Sequence, residues 1–129
     1  MNTDEHRSEL DLITRKIIGC AYRVGNTLGC GFLEKVYENA LVIELHRAGL
    51  LFERQRLVVA HYDNIPVGDF AVDLLVEKEV VVELKAAKAF DEIHTAQCMN
   101  YLRAAGLKVC LLINFGRPRV EVKRIVSDF

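Results

Sequence analysis

The segment VVVELKA, residues 80–86, places Glu83 and Lys85 inside a run that is otherwise apolar. A short apolar run that follows a turn is typical of a buried β-strand. An ion taken out of water there loses several kcal/mol of solvation free energy unless it is paired. Glu83 and Lys85 are therefore expected to have partners of opposite charge or to form part of a functional site.

The preceding strand, VGDFAVDLLV, supplies a second carboxylate for the same place. A hairpin loop at EKE, centred on Lys78, sets Leu75 opposite Val81 and Asp73 opposite Glu83. Because side chains alternate across a strand, Asp73, Glu83 and Lys85 are predicted to emerge on one face. The other face is then predicted to carry apolar side chains, namely Phe70, Val72, Leu74, Val80, Val82 and Leu84.

Two opposed carboxylates repel each other, so this cluster needs compensation. A hard divalent cation such as Mg²⁺ or Mn²⁺ would supply it, with oxygen ligands from Asp73 and Glu83. Alternatively, Lys85 neutralises one carboxylate in a structural salt bridge. The three residues alone leave both interpretations open.

The rest of the chain predicts one domain over residues 1–129, with residues 1–8 as a flexible N-terminus. At 129 residues and 51% hydrophobic composition, the chain is long enough for one substantial core. Helical spacing predicts two helices, which end at GNTLGCG and at Gly49, and a third that ends at Gly106. Strands fill the remainder, the last one at a sheet edge. The predicted order is ααβββαββ, an α/β (α+β) fold with a mixed sheet flanked by helices.

Charge excludes a global attraction to nucleic acid, since 17 Lys and Arg stand against 18 Asp and Glu. Any nucleic-acid partner must be held by a local basic patch. Candidate cations could contact phosphates, or could lie in solvent or protect an edge strand. These candidates are Lys88, Arg117, Arg119, Lys123 and Arg124.

Several other classes of protein are not indicated. No apolar run is long enough to span a bilayer, and the polar start MNTDEHRSEL does not resemble a secretory signal. We therefore expect a soluble, cytoplasmic protein. The four cysteines stand singly, without a CxxC pair for zinc.

The pattern of Asp73 followed by Glu83-Leu84-Lys85 resembles the core of the PD-(D/E)xK nuclease superfamily, which has a restriction-endonuclease-like fold. The resemblance implies that Asp73 and Glu83 bind the metal together with the backbone carbonyl of Leu84. It also implies that Lys85 assists the attacking water. The proline that names the motif is absent, because Val72 precedes Asp73 here.

Two further motifs narrow the resemblance. The segment GFLEKVY is similar to the signature of the GxxExxY family, through Gly31, Glu34 and Tyr37. The segment QCMNY resembles the QxxxY motif of RecB-like nucleases, through Gln97 and Tyr101. The resemblance implies that Glu34, as part of the catalytic site, adds a metal ligand or orients a metal-bound water. It also implies that Tyr37 binds substrate, and that Gln97 and Tyr101 contact the substrate backbone or brace Lys85. Judged without the resemblance, Glu34 is an ordinary first-turn glutamate and both tyrosines are core residues.

The function implied is that of a magnesium- or manganese-dependent nuclease that hydrolyses phosphodiester bonds of nucleic acid, with DNA as the expected partner. The competing interpretation is a nuclease fold kept as a binding or assembly module with little or no catalysis. Such a module would act as a homodimer or with a partner protein. Intact Asp73, Glu83 and Lys85 favour the enzyme.

Overall fold

The computed structural model describes residues 3–127, in which three helices and five strands follow one another in the predicted order. The first half consists of α1 (Thr3–Leu28), α2 (Glu34–Arg47), β1 (Phe52–Tyr62) and β2 (Ile65–Val76). The second half consists of β3 (Val80–Lys85), α3 (Glu92–Ala105), β4 (Val109–Asn114) and β5 (Glu121–Val126). The order ααβββαββ is confirmed.

The five strands form one sheet in the order β1-β2-β3-β4-β5. Strands β3 and β4 are parallel, while the other neighbouring pairs are antiparallel. A parallel pair needs a crossover connection, and α3 provides it. The predicted mixed sheet and the edge position of the last strand are therefore confirmed.

Helices cover both faces of the sheet. The side chains on each face show that two apolar residues of β2 were predicted on the wrong face. Helices α1 and α2 pack on the face of Leu74, Val80 and Val82, while α3 packs on the face of Leu75 and Val81. Val72, with Phe70 packed beside it, lies on the α3 face rather than with Leu74. The alternation of β2 is interrupted between Val72 and Leu75, opposite Gln55, whose backbone has φ 50°. An irregularity of this kind reverses every face assignment beyond it.

The N-terminal segment is also more ordered than expected. Helix α1 begins at Thr3, so most of residues 1–8 is helical, while residues 1 and 2 lie outside the described part. His6 Nε2 lies 3.0 Å from Glu79 Oε2 in the β2–β3 turn. A terminus tied down by such a contact does not behave as a free tail. Among residues 3–127, no helix has the length and apolar character needed to cross a membrane.

Helix α3 has strong local signals at both ends. Its N-cap Asp91 accepts a hydrogen bond from the Ile93 N–H at 3.1 Å, and His94 Nδ1 accepts from the Asp91 N–H at 3.2 Å. Gly106 ends the helix in the left-handed conformation, with φ 69°. These caps satisfy backbone groups that a helix end leaves open, so the helix is fixed at both ends.

Asn114, at the end of β4, joins the two loops that follow the parallel strands. Its side chain is fully buried, and its Oδ1 accepts from the N–H groups of Ala87 and Gly116 at 3.0 and 2.9 Å. Its Nδ2 donates to the Ala87 carbonyl at 2.9 Å and to Glu121 Oε1 at 3.1 Å. One amide thus holds the backbone that follows β3 against the end of β4.

We predict that Asn114→Ala lowers the free energy of unfolding by about 2 kcal/mol or more, because it leaves several buried polar groups without partners. Denaturant unfolding followed by circular dichroism measures the change. Asn100→Ala, at an exposed position of α3, is the control and should change stability by less than about 0.5 kcal/mol. Equal stabilities of the two variants would contradict the role given to Asn114.

Candidate active site

The carboxylates of Asp73 and Glu83 meet where strands β2 and β3 separate. The last ladder pair toward this point is Leu74 with Val82, and Asp73 and Glu83 are the next residues on each strand. Glu83 Oε1 accepts from the Asp73 N–H at 2.9 Å, and Asp73 Oδ2 accepts from the Leu84 N–H at 2.8 Å. Each carboxylate therefore satisfies a backbone amide of the opposite strand, in the place of a ladder bond. The hairpin register inferred from the EKE turn gives this same opposition.

Both carboxylates are held in an environment that disfavours their charge. Glu83 is only 5% exposed, and burial together with the nearby Asp73 carboxylate raises the pKa of Glu83 to about 8. Burial also raises the pKa of Asp73, although the hydrogen bond from Leu84 opposes that shift. Without a cation, the pair is most stable when it keeps a proton.

Lys85 lies two residues beyond Glu83, at the end of β3, and is half-buried. Burial raises the pKa of both carboxylates, and the nearby Lys85 ammonium opposes that rise only in part. Within residues 3–127, however, it forms no ion pair with either of them. The structural salt bridge considered as an alternative is therefore not formed, and Lys85 stays available for another partner.

Glu34 begins α2 and is exposed, but its charge still raises the pKa of Glu83. Among the described residues, no group of three His, Cys, Asp or Glu side chains is arranged to hold a metal ion. Glu34 thus contributes to the negative potential at Glu83 but does not complete a three-carboxylate cluster. Leu84 is almost fully buried, and its N–H is the group that bonds Asp73.

Two residues that the sequence did not single out, Gln55 and Glu38, connect to Asp73 through hydrogen bonds. Gln55 Nε2 donates to Glu38 Oε1 at 3.0 Å and lies 3.5 Å from Asp73 Oδ1. Glu38 is 4% exposed, and its Oε2 accepts from Arg54 Nη2 and Lys35 Nζ. Burial alone would raise the pKa of Glu38, but these hydrogen bonds hold it below its ordinary value. A left-handed residue whose side chain bridges two carboxylates is a strained position of the kind found at functional sites.

Tyr37 does not lie where a substrate could reach it, which corrects the role implied by the resemblance. Its side chain is 0% exposed, and its ring stacks on Phe115 with centroids 4.7 Å apart. Its hydroxyl donates to the Gly29 carbonyl at 2.6 Å and accepts from the Phe32 N–H at 3.2 Å. Tyr37 therefore fixes the glycine-rich connection between α1 and α2, and its motif spacing reflects packing.

Gln97 and Tyr101 line an open groove of about 620 Å³ between α3 and the β1–β2 hairpin. The Tyr101 ring stacks on Phe70, with centroids 4.8 Å apart. Burial, reinforced by the charge of Glu83, raises the pKa of Tyr101 to about 12. The charges of Glu83 and Asp73 thus act on the Tyr101 hydroxyl, which stays protonated.

A sequence model of the PD-(D/E)XK nuclease superfamily matches residues 11–125. The chain belongs to this superfamily. The matched span includes Asp73, Glu83 and Lys85, whose geometry is described above. Membership in the narrower GxxExxY family stays a prediction, and no curated protein matches the chain.

Solved structures resemble this PD-(D/E)XK chain only at low sequence identity. The crystal structure of SSO0001 matches with a TM-score of 0.58 and 13% identity, over 74% of this chain and 51% of that one. The chain thus spans about half the length of SSO0001. An alkaline exonuclease from Laribacter hongkongensis, LHK-Exo, matches with a TM-score of 0.48 and 12% identity, over 84% of this chain and 76% of that one. At these identities the SSO0001 match shows the fold alone.

Nucleases of the PD-(D/E)XK superfamily typically use divalent metals, and the pair described here fits such an ion. The buried Glu83 and the half-buried Asp73, whose carboxylates repel each other, provide hard oxygen ligands. A small cation would relieve the repulsion that otherwise keeps a proton on the pair. Two carboxylates would supply only part of a magnesium coordination sphere, and water normally supplies the rest.

We predict that, in EDTA, the wild-type protein loses stability relative to Glu83→Gln as the pH rises from about 4.5 toward 8. The pKa of Glu83 is higher in the folded state, so folding favours the protonated form, and that advantage is lost through this window. The slope is at most about 1.4 kcal/mol per pH unit. Denaturant unfolding at several pH values measures it.

Glu92→Gln, in the exposed first turn of α3, is the control for a lost surface carboxylate. Its stability should follow that of the wild-type protein through the same pH range. A stability difference between wild type and Glu83→Gln that does not depend on pH would show that folding does not raise the pKa of Glu83.

We also predict that Gln55→Gly weakens Mg²⁺ binding about 10-fold, because it removes the amide that supports Asp73. Glycine accepts the left-handed backbone of position 55, so the stability cost should come from the lost hydrogen bond to buried Glu38, about 1 to 3 kcal/mol. Calorimetric titration measures the affinity. Asn64→Gly is the matched control, since Asn64 also has a positive φ, of 63°, at the tip of the β1–β2 hairpin. Equal Mg²⁺ affinities in the two variants would remove Gln55 from the site.

Proposed function

We propose that this chain is a magnesium- or manganese-dependent nuclease that hydrolyses phosphodiester bonds of nucleic acid, with DNA as the first substrate to test. The observation that supports the proposal most is the pair of the half-buried Asp73 and the buried Glu83, with Lys85 two residues along β3. Within residues 3–127 no cationic side chain forms an ion pair with either carboxylate, and the pair lies in a member of a nuclease superfamily.

Asp73 and Glu83 would hold the cation, with the Leu84 carbonyl as the backbone ligand that the family pattern implies. When bound, such an ion supplies positive charge that activates water and stabilises a phosphate in its transition state. Gln55 would keep Asp73 oriented through the bond network that begins at Glu38. Glu34, whose charge acts on Glu83, would orient a water molecule bound to the cation.

Lys85 would position the attacking water or donate to a phosphate oxygen on which charge develops. Its stem belongs to β3, so the ammonium is carried by a rigid element. Gln97 and Tyr101 would contact the substrate backbone from α3, where the neutral hydroxyl of Tyr101 can still donate. Water is the nucleophile, so no covalent enzyme intermediate forms.

A second function, that of an assembly module, is favoured by one specific observation. The β1–β2 hairpin carries large apolar side chains that are exposed by more than half. These are Leu57, Tyr62, Ile65 and Val67. Exposed apolar side chains of this kind mark contact surfaces in many proteins, so a homodimer or a partner protein would fit here.

We predict that the wild-type protein cleaves DNA in Mg²⁺ or Mn²⁺, and that both Lys85→Ala and Asp73→Asn reduce the rate at least about 100-fold. The assay uses labelled linear and circular, single- and double-stranded DNA and RNA, with and without EDTA. Lys16→Ala, at an exposed position of α1, is the matched control for a lost lysine and should keep full activity.

Circular dichroism and Mg²⁺ calorimetry on Lys85→Ala separate a catalytic loss from a folding or metal-binding loss. Unchanged cleavage by Lys85→Ala would reject its catalytic role. If wild type and variants are equally inactive on every substrate while the wild type self-associates, the assembly module replaces the nuclease.

A further inference from the structure

Two loops beside the candidate site leave the sheet at the same end. Residues 86–91 follow β3, and residues 115–120 follow β4. Because β3 and β4 are parallel, their carboxyl ends and both loops lie together. Lys85 is the last residue of β3, so the pair of loops adjoins the candidate site.

These two loops are bonded into a single unit. The Asn114 amide holds Ala87, and Arg117 Nη1 donates to the Lys88 carbonyl at 3.3 Å. The loops approach so closely at Gly116 that a Cβ there would collide with the backbone of Ala87. A surface built in this way changes shape little when a ligand binds.

The unit is positively charged although the whole chain is not. Lys88, Arg117 and Arg119 are exposed, and within residues 3–127 no ion pair engages any of them. The carboxylate of the two loops, Asp91, is committed to capping α3. By contrast, Arg54 is paired with the buried Glu38 beside the site. The two loops thus carry three cations and one carboxylate, at the end of the sheet where Lys85 lies.

The same loops offer nothing on which a nucleic-acid base could stack. Phe90 is half-buried, where it packs against the core under α3, and Phe115 is 1% exposed and stacked on Tyr37. Stacking platforms require an exposed aromatic face. Without a stacking face, we expect these cations to contact phosphates, and phosphate contacts position a nucleic acid without reading its sequence.

We propose that Lys88, Arg117 and Arg119 form a phosphate track that holds the nucleic-acid backbone beside Lys85 without regard to base sequence. The inference rests on the proposed nuclease function and adds the surface that binds the substrate. It accounts for how a chain with a net charge of −1 would attract a polyanion. Its binding should weaken steeply with salt, because each phosphate contact releases counterions.

The test is fluorescence anisotropy of a labelled duplex and of a single strand in EDTA, at several salt concentrations. The variant is the triple Lys88→Ala, Arg117→Ala, Arg119→Ala. The plot of log K against log salt has a negative slope. In the variant this slope should become less steep, by about 0.9 for each lost phosphate contact in a duplex and by about 0.7 in a single strand. The nucleic-acid form with the larger loss identifies the backbone that the track holds.

The control triple Arg7→Ala, Arg15→Ala, Lys16→Ala removes the same charge from exposed positions of α1 and should leave the slope unchanged. Lys88→Gln with Arg119→Gln keeps the Arg117 bond to Lys88 and should still lower the slope, so a folding defect cannot explain the result. Equal slopes for the wild type and the first triple overturn the track.

Cleavage by the wild-type protein in Mg²⁺, assayed separately, distinguishes the two proposals. If the wild type cleaves DNA but the track variant binds like it, the track alone is wrong. If the wild type binds through the track but never cleaves, the nuclease is wrong and the track stands. If the wild type neither binds nor cleaves any nucleic acid, both are wrong.

Discussion

The candidate site depends on two hydrogen bonds in which acidic side chains take the place of backbone carbonyls. Where β2 and β3 separate, Glu83 accepts from the Asp73 amide and Asp73 accepts from the Leu84 amide. These bonds keep both carboxylates at the junction while the strands diverge. They also hold the two carboxyl groups close together, so the arrangement of their oxygens is set by the fold itself.

The surroundings of this junction are built from contacts distant in sequence. On one side, Glu38 on α2 supports Asp73 through Gln55. On the other side, Asn114 aligns the loops that continue from β3 and β4. The hydrogen-bonded parts of the fold thus meet at the candidate site, and side chains held in this way keep a defined position.

Much of this arrangement follows from local sequence. The EKE turn fixes the hairpin register, and the register alone brings Asp73 opposite Glu83. The third helix is delimited by Asp91 and Gly106, whose capping roles depend on neighbouring residues. Local signals of this kind do not depend on the rest of the fold, so they can be read from the chain.

The parts that sequence reasoning missed depend on tertiary structure. The left-handed backbone of Gln55 has no marker in the sequence, and it coincides with the break that moves Val72 to the α3 face. Tyr37 belongs to a motif, yet its hydroxyl bonds the backbone of the α1–α2 connection. Asn114 looks like an ordinary strand end until Ala87 is brought beside it. The parallel pairing of β3 and β4 also separates contacts by their distance along the chain. Asp73 and Glu83 meet through a short hairpin, while β4 joins the sheet through the longer α3 crossover, so we expect the hairpin to form first. During folding, the carboxylate pair would form in water first, and its burial, with the loss of hydration that this entails, would come as a late step.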